Sequence, residues 1–277
     1  VTGVQTCALP IYWCIPDRDE WQEKSGFREK RAVKIISGIN NYDLNCVKKV
    51  ARAAQMGHAS ALDVACDLDV YRTARANTKL PIFVSPIHPF ELADAAKWGA
   101  DAIEIGNFDA LYKDGKSFTC DEVYEIVLET MSLVSRYNTF VCATIPGNQD
   151  IRDQIDLVKN LEILGVDLIQ TEGLKQITNS SNPSIHLINY AENTIANTME
   201  LLNHTSLPVM SASGISAKTA PLAFASGASA IGVGSAVNKL ETEVEMAAAV
   251  MSIVNSVSHR NSINKEIQRS ERELSLR

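Results

Sequence analysis

Short apolar stretches alternate along this chain with longer stretches that carry apolar residues at helical spacing. Four of the apolar stretches share one pattern, in which polar or small residues lie between apolar ones, and each comes shortly after a glycine. Glycine is preferred there because a helix commonly ends on a residue in the left-handed conformation. Each repeat therefore predicts a helix end followed by a strand. The four stretches are Ala59–Ala65, Ala100–Gly106, Val166–Glu172 and Ala228–Gly234, after Gly57, Gly99, Gly165 and Gly227.

Four further apolar stretches complete a set of eight predicted strands. Two of them begin with Leu-Pro, and proline is tolerated at the first position of a strand because its missing N–H is not needed there. The four are Ala32–Ser37, Leu80–Ser85, Thr139–Thr144 and Leu207–Ser213.

Helical periodicity fills the segments that separate the strands. Eight strands alternating with eight helices in strict order predict parallel strands joined by crossover helices. A doubly wound open sheet would show the same alternation, but the pairwise repeat favours closure. The sequence therefore predicts an α/β fold, a single (β/α)8 TIM barrel over residues 30–257. The predicted helices are Asp43–Met56, Asp67–Asn77, Pro89–Trp98, Asp121–Arg136, Ile151–Leu164, Ile185–Asn203, Ala217–Ser226 and Glu241–Val257.

The two ends of the chain differ from this pattern. Val1–Ile11 is similar to the translated sequence of a sequencing-library adapter, and it lacks the basic start and continuous apolar core of a signal peptide. We expect these residues to be an artefact that hides the true start. Residues 12–29 are predicted to form an N-terminal extension of the barrel. Residues 258–277 are highly charged and are predicted to form a fraying helix or a disordered tail.

Composition limits the classes of function. The 277 residues suit one barrel-sized domain, and 45% of them are hydrophobic. No apolar run approaches the roughly 18 residues that a membrane span needs, and the net charge of -7 argues against binding along a nucleic-acid backbone. The cysteines are far apart and form no CxxC pair, so neither a zinc site nor a redox motif is predicted. No nucleic-acid or membrane partner is expected.

The repeat aligns the residues that should enter the barrel. Asp63, Glu104 and Gln170 occupy equivalent positions, and Glu172 lies two residues further along its strand. By the two-residue period of a strand, these side chains point towards the barrel mouth, where TIM barrels hold their active sites, while their apolar neighbours face the helices. The carboxylates predict general acid/base catalysis or a hard-cation site. Lys34 on the first strand could instead neutralise Asp63 or Glu104 in a structural network. The candidate catalytic residues are Glu172, Asp63, Glu104 and Lys34.

Two loops rich in glycine and serine carry the most specific local pattern. Ser211–Ser216 follows the seventh predicted strand, and Ile231–Val237 follows the eighth. TIM barrels that bind phosphate commonly use the loops after these strands, since glycine lets backbone N–H groups approach an anion. Glycines that only form tight turns would give the same pattern. The loops Asn107–Phe118 and Gly173–Ser184 are long enough to cover such a site. The candidate phosphate-binding residues are Ser213, Gly214, Gly232, Gly234 and Ser235.

Longer strings resemble a known family. AVKIISGINNYD, IEIGNFDALYKDGKSF, IQTEG and PVMSASGISAKTAPLAFASGASAIGVGSAVNKL are similar to the hypothetical chloroplast open reading frame twenty-three family, over residues from about 30 to 257. The resemblance implies an aldolase-type TIM barrel and a plastid location, or a cytoplasmic one in a cyanobacterium, and it implies no particular reaction. VKIISGINNYD is also similar to the first strand and loop of phosphoribosylanthranilate isomerases, where a cysteine follows the Lys-Ile pair. Ile36 and Ser37 stand here instead, which argues against that activity.

Two classes of function follow. The first is an isomerase, epimerase or lyase that acts on a small phosphorylated metabolite held by the loops after strands seven and eight. The alternative is a barrel that binds a phosphorylated ligand or flavin mononucleotide without catalysis. The cofactor is left open: flavin mononucleotide and a metal ion held by Asp63, Glu104 and Glu172 are both considered. A homo-oligomer is also left open, and the chloroplast stroma is the expected compartment.

Overall fold

The computed structural model of the chain describes residues 30–112, 115–173 and 183–257. Eight parallel strands form a closed barrel, in which each strand pairs with the next and the eighth pairs with the first. The predicted (β/α)8 barrel is confirmed, and the open sheet is excluded. The strands are β1 (Ala32–Ile36), β2 (Ala61–Ala65), β3 (Ile82–Ser85), β4 (Ala102–Ile105), β5 (Phe140–Ile145), β6 (Leu168–Thr171), β7 (Val209–Ser211) and β8 (Ala230–Val233).

Helices connect the strands and lie close to the predicted ranges. The helix predicted over Ala217–Ser226 is shorter than expected, and two short elements were not predicted: a 3-10 helix at Phe108–Ala110 and a single helical turn directly after β8. The α-helices are α1 (Leu44–Met56), α2 (Leu68–Asn77), α3 (Pro89–Trp98), α4 (Cys120–Val134), α5 (Ile151–Leu164), α6 (Pro183–Leu201), α7 (Ala220–Ala225) and α8 (Ser235–Asn238), followed by α9 over residues 243–257.

Three of the four repeat glycines have the predicted left-handed conformation. Gly99 and Gly165 end α3 and α5 at φ +87° and +83°, and Gly227 has φ +102°. Gly57 is different, because it ends α1 at φ -81°. A Cβ atom there would lie 2.4 Å from Cγ1 of Val250 in α9, so close packing accounts for this glycine.

Apolar side chains pack in two layers, one between the strands and the helices and one inside the barrel. The intervening residues of the repeat, such as Leu62 and Ile103, belong to the outer layer, as the two-residue period predicts. Towards the C-terminal ends of the strands the interior becomes polar, which places any site at that end of the barrel. The inner apolar layer consists of Ala32, Ala61, Phe83, Ala102, Phe140, Cys142, Leu168, Met210 and Ala230.

Some predictions fall on residues that the structure does not describe. They are the artefact at 1–11, the extension at 12–29 and the charged tail at 258–277. Residues 174–182 of the second covering loop also lie outside the described residues. Within the described ranges, no helix combines the length and the apolar character needed to cross a membrane.

Candidate functional site

A buried ion pair lies in the polar layer of the barrel. Lys34 Nζ contacts Glu104 Oε2 and donates a hydrogen bond to Gln170 Oε1 over 2.9 Å. Gln170 Nε2 donates in turn to Glu104 Oε1 over 2.8 Å. Lys34 and Glu104 are both fully buried, so protein partners replace water around the two charges. This is the neutralised structural network that the sequence left open as an alternative.

The environment of Lys34 keeps it charged. Burial alone would lower the pKa of Lys34, but the carboxylates of Glu104 and Asp63 outweigh burial, and its pKa is raised above the ordinary value. The ammonium group also lies 4.8 Å from the centre of the Phe83 ring. Because a lysine must lose its proton to attack a carbonyl, this arrangement does not favour a Schiff-base role.

Asp63 lies beside this ion pair in a second set of hydrogen bonds. It accepts hydrogen bonds from Ser85 Oγ and from Asn107 Nδ2 over 3.2 Å, and burial raises its pKa to about 7. Asn107 Oδ1 lies 3.3 Å from Gln170 Nε2, which links the two sets. Asn107 adopts φ +65°, a left-handed conformation that asparagine tolerates. We call the linked residues the buried network: Lys34, Asp63, Ser85, Glu104, Asn107 and Gln170.

A pocket of about 190 Å³ lies at the C-terminal ends of β1, β6, β7 and β8. Both predicted phosphate loops contribute to its wall. Of the buried network, only Asn107 lines this pocket. All five candidate phosphate-binding residues line it: Ser213, Gly214, Gly232, Gly234 and Ser235.

One of these positions requires glycine for steric reasons, and a second leaves little space for a side chain. Gly214 has φ +75°, and a Cβ atom there would lie 2.2 Å from the carbonyl oxygen of Tyr190. A Cβ atom on Gly232 would lie 3.0 Å from Cβ of Ala212. Gly234 differs, because the nearest atom to an added Cβ would be 3.7 Å away. A Cβ atom at Gly234 therefore has space at the pocket wall, which makes this position suitable for mutation.

Glu172 lines the same pocket, although its exposed fraction is only 1%. Its Oε1 accepts a hydrogen bond from the backbone N–H of Asp109 over 3.1 Å, and its Oε2 accepts one from the hydroxyl of Tyr112 over 3.3 Å. Burial, followed by the neighbouring Asp109 carboxylate, raises the pKa of Glu172 well above the ordinary value. A general acid or base that works near neutral pH requires a shift in this direction.

The structure separates the four candidate catalytic residues. Glu172 lines the pocket, whereas Lys34, Asp63 and Glu104 lie in the buried network and do not. The expectation that all three carboxylates reach the barrel mouth is therefore correct only for Glu172. Asp63 and Glu104 lie one layer deeper, where Asp63 accepts a hydrogen bond from Ser85 and Glu104 accepts one from Lys34. No group of three or more His, Cys, Asp or Glu side chains converges within the described ranges, so Asp63, Glu104 and Glu172 do not come together as one set of ligands.

Three residues at the pocket were missed from the sequence. Asp109 and Lys239 line the pocket, and Tyr112 donates to Glu172. Ser213 Oγ, a candidate phosphate ligand, donates to Asp109 Oδ2 over 2.5 Å. Asp109 and Tyr112 belong to the segment after β4, where a cluster of polar and aromatic residues directly after a strand end was the available signal. Lys239 is the one basic side chain among the described residues that line the pocket.

Comparison with known sequences assigns the chain to a family. The sequence profile of the family described as "Protein of unknown function (DUF561)" matches residues 21–263. The chain belongs to this family. "Uncharacterized protein ycf23" from Cyanidium caldarium is 38% identical over 230 residues, which cover 83% of this chain and 91% of the relative. The protein of the same name from Pyropia yezoensis is 33% identical over 244 residues, covering 88% and 89%. These relatives confirm the resemblance drawn from the sequence.

Solved structures share the fold of this member of the family. 3-Hexulose-6-phosphate synthase is similar with a TM-score of 0.60 at 13% identity, covering 82% of this chain and 99% of that chain. (S)-3-O-geranylgeranylglyceryl phosphate synthase from Thermoplasma acidophilum, in complex with its substrate sn-glycerol-1-phosphate, gives 0.54 at 15% identity, covering 86% and 97%. At these identities the likeness shows the fold, and it confirms a TIM barrel of the aldolase type.

Proposed function

We propose that this protein is an enzyme that acts on a small phosphorylated metabolite by isomerisation, epimerisation or carbon–carbon cleavage. The observation that carries the proposal is that one pocket contains both the glycine loops after β7 and β8 and the carboxyl group of Glu172. The loops would hold the phosphate, and Glu172 would move a proton next to a carbonyl group.

The loop after β8 supports the phosphate assignment. The chain turns at Gly234 into α8, and the first N–H groups of a helix have no acceptor within the helix. Such N–H groups at a pocket wall suit an anion. Lys239 at the same pocket supplies a positive charge, which offsets the repulsion between a phosphate and the nearby carboxylates.

Glu172 is the group best placed for proton transfer. Its raised pKa means that it exchanges a proton closer to neutral pH than a solvated glutamate does. Lys34, Asp63 and Glu104 receive a positioning role in this proposal, since they hold Gln170 and Asn107 through hydrogen bonds below the pocket.

Pocket size favours a metabolite over flavin mononucleotide. The volume of about 190 Å³ lies below the roughly 300–1,000 Å³ typical of sites for drug-sized ligands. The names of the structural neighbours agree with a phosphorylated substrate, since they include a hexulose-phosphate synthase and an enzyme bound to sn-glycerol-1-phosphate. We place the protein in the plastid stroma, or in the cytoplasm of a cyanobacterium, on its resemblance to the ycf23 proteins.

Hydrogen exchange with solvent tests the proposed chemistry. The full chain is incubated in D2O with phosphorylated hydroxyaldehydes and hydroxyketones of three to six carbons, and 1H NMR follows the C–H next to the carbonyl. We expect exchange with at least one compound, and a loss of at least about 100-fold in Glu172→Gln, the range typical of one acid/base group. Glu129→Gln, an exposed glutamate on α4, is the control. Equal exchange by Glu172→Gln and the wild type would remove Glu172 from the mechanism.

A further inference from the structure

Two acidic side chains, Asp109 and Glu172, line the pocket that also contains the glycine loops. The backbone N–H of Asp109 donates to Glu172 Oε1 over 3.1 Å, so the main chain itself holds the two residues together. Ser213 Oγ donates to Asp109 Oδ2, which connects this acidic pair to the loop after β7. The pair and the loop therefore form one continuous wall.

The acidic pair has hydrogen-bond capacity that the protein does not use. Each carboxylate oxygen can accept about two hydrogen bonds. Glu172 Oε1 and Oε2 each accept one, from Asp109 and Tyr112, and Asp109 Oδ1 accepts none from the residues that the structure describes. Asp109 is half-buried at the pocket wall, so its open acceptor site is available to a ligand that supplies hydrogen-bond donors.

The two parts of the wall require opposite groups from the ligand. The N–H groups of the loops and the ammonium of Lys239 are donors, and they suit the oxygens of a phosphate. The Asp109 carboxylate would repel a phosphate and instead suits an O–H or N–H donor. One ligand satisfies both parts if it carries a phosphate at one end and hydrogen-bond donors at the other.

A hydroxyl group fits the acidic pair better than an ammonium group. Burial and Asp109 raise the pKa of Glu172, so Glu172 carries a proton to a higher pH than a solvated glutamate and can donate it in a hydrogen bond. A hydroxyl can accept that hydrogen bond while it donates to Asp109, whereas an ammonium group has no lone pair to accept with.

We propose that the pocket recognises the phosphate ester of a short polyhydroxylated carbonyl compound, whose hydroxyl groups bond to Asp109 and Glu172 while the phosphate lies against the loops after β7 and β8. This inference rests on the proposed function and names its substrate class. The pocket volume of about 190 Å³ limits the ligand to a short carbon chain.

Calorimetry with three matched esters tests the inference on the full chain. The probes are glycerol 1-phosphate, ethyl phosphate, which lacks hydroxyl groups, and 2-aminoethyl phosphate, which carries an ammonium group. We expect glycerol 1-phosphate to bind about tenfold or more tightly than ethyl phosphate, the size of one hydrogen bond to a charged group. In Asp109→Ala the advantage should fall below about threefold, with the affinity for ethyl phosphate no weaker than in the wild type.

Two further variants keep the test decisive. Asp109→Asn retains the shape of the side chain but removes its charge and should also reduce the advantage, which covers the case in which Asp109→Ala does not fold. Asp94→Ala changes an exposed aspartate on α3 and should leave the advantage unchanged.

The outcomes separate this inference from the proposed function. Equal binding of glycerol 1-phosphate and ethyl phosphate would overturn the recognition of hydroxyl groups and leave the phosphate site in place. Tighter binding of 2-aminoethyl phosphate would overturn it in favour of an amine. If none of the three esters binds, the proposed function fails together with the inference.

Discussion

The barrel contains two acidic regions that differ in how fully the protein satisfies them. In the buried network, Glu104 is paired with Lys34, and both oxygens of Asp63 accept hydrogen bonds from protein side chains. At the pocket, Asp109 Oδ1 accepts no hydrogen bond from the described residues, and Asp109 and Glu172 lie beside the glycine loops. The two regions are joined through Asn107, which contacts the first and lines the second.

This difference shows that burial and a shifted pKa do not by themselves identify a catalytic carboxylate. Burial raises the pKa of both Asp63 and Glu172. Each oxygen of both carboxylates accepts one hydrogen bond from the protein, but only Glu172 also lines the pocket. Access to the pocket therefore separates a group that can meet a substrate from one that stabilises the barrel.

The largest expected effect comes from breaking the ion pair in the buried network. Lys34→Met leaves Glu104 buried without its partner, and the loss of one member of a buried pair typically costs about 3–5 kcal/mol in the free energy of unfolding. Glu172→Gln should cost less than about 1 kcal/mol, since its raised pKa shows that the site disfavours charge. Urea unfolding at pH 7 measures both values.

A double variant controls for the loss of packing at Lys34. Lys34→Met combined with Glu104→Gln removes both charges and should recover most of the lost stability, because no unpaired charge remains. Equal losses for Lys34→Met and Glu172→Gln would show that the two regions do not differ as described.

Stability should depend on pH through Asp63. In the folded protein its pKa is about 7, whereas in the unfolded chain it is near 4. Between these values the folded state binds a proton that the unfolded state releases, so the free energy of unfolding falls as the pH rises, by at most about 1.4 kcal/mol per pH unit. Above pH 7 this contribution is constant.

The Asp63 contribution can be isolated by mutation. Glu172 has a raised pKa and contributes with the same sign, so the comparison is made between Glu172→Gln and the double variant Asp63→Asn/Glu172→Gln. Urea unfolding from pH 4.5 to 8 should show a flatter dependence in the double variant. An unchanged dependence would mean that Asp63 is ionised throughout this range.

The smallest expected effect is at the rim of the pocket. Lys239 is exposed and forms no ion pair within the described residues, so Lys239→Gln should weaken the binding of inorganic phosphate by up to about fivefold, the range of a solvent-exposed charge contact. The difference from the wild type should shrink at high salt. Lys159→Gln on α5 is the control, and an equal loss in that variant would point to net charge rather than to a contact.

The fold could be predicted from the sequence because it depends on a local pattern that occurs several times. The repeats ending at Ala65, Gly106, Glu172 and Gly234 set the strand period, and the period set which side chains enter the barrel. The pairing of Lys34 with Glu104 was also among the predicted alternatives. The loops after β7 and β8 could be found because their order along the chain is itself part of the pattern.

The pocket residues from the segment after β4 could not be predicted from the sequence in this way. Asp109 reaches Glu172 through a backbone N–H at the start of a 3-10 turn, and Tyr112 reaches it from the end of that turn. Neither contact has a periodicity, and the residues are 63 and 60 positions apart in the chain. The depth of Asp63 and Glu104 below the pocket was not predicted, for a related reason. The repeat shows that their side chains point into the barrel, but it does not show which residues bond to their carboxylate oxygens.

The most direct measurement is the calorimetric titration of inorganic phosphate into the full chain and into Gly234→Ala and Gly234→Asp. The structure has space for a Cβ atom at Gly234, so the alanine variant should bind phosphate within about threefold of the wild type. The aspartate adds a negative charge to the pocket wall and should weaken binding by at least about tenfold, or 1.4 kcal/mol. No binding to the wild type, or equal binding by all three proteins, would contradict a phosphate site between the loops after β7 and β8.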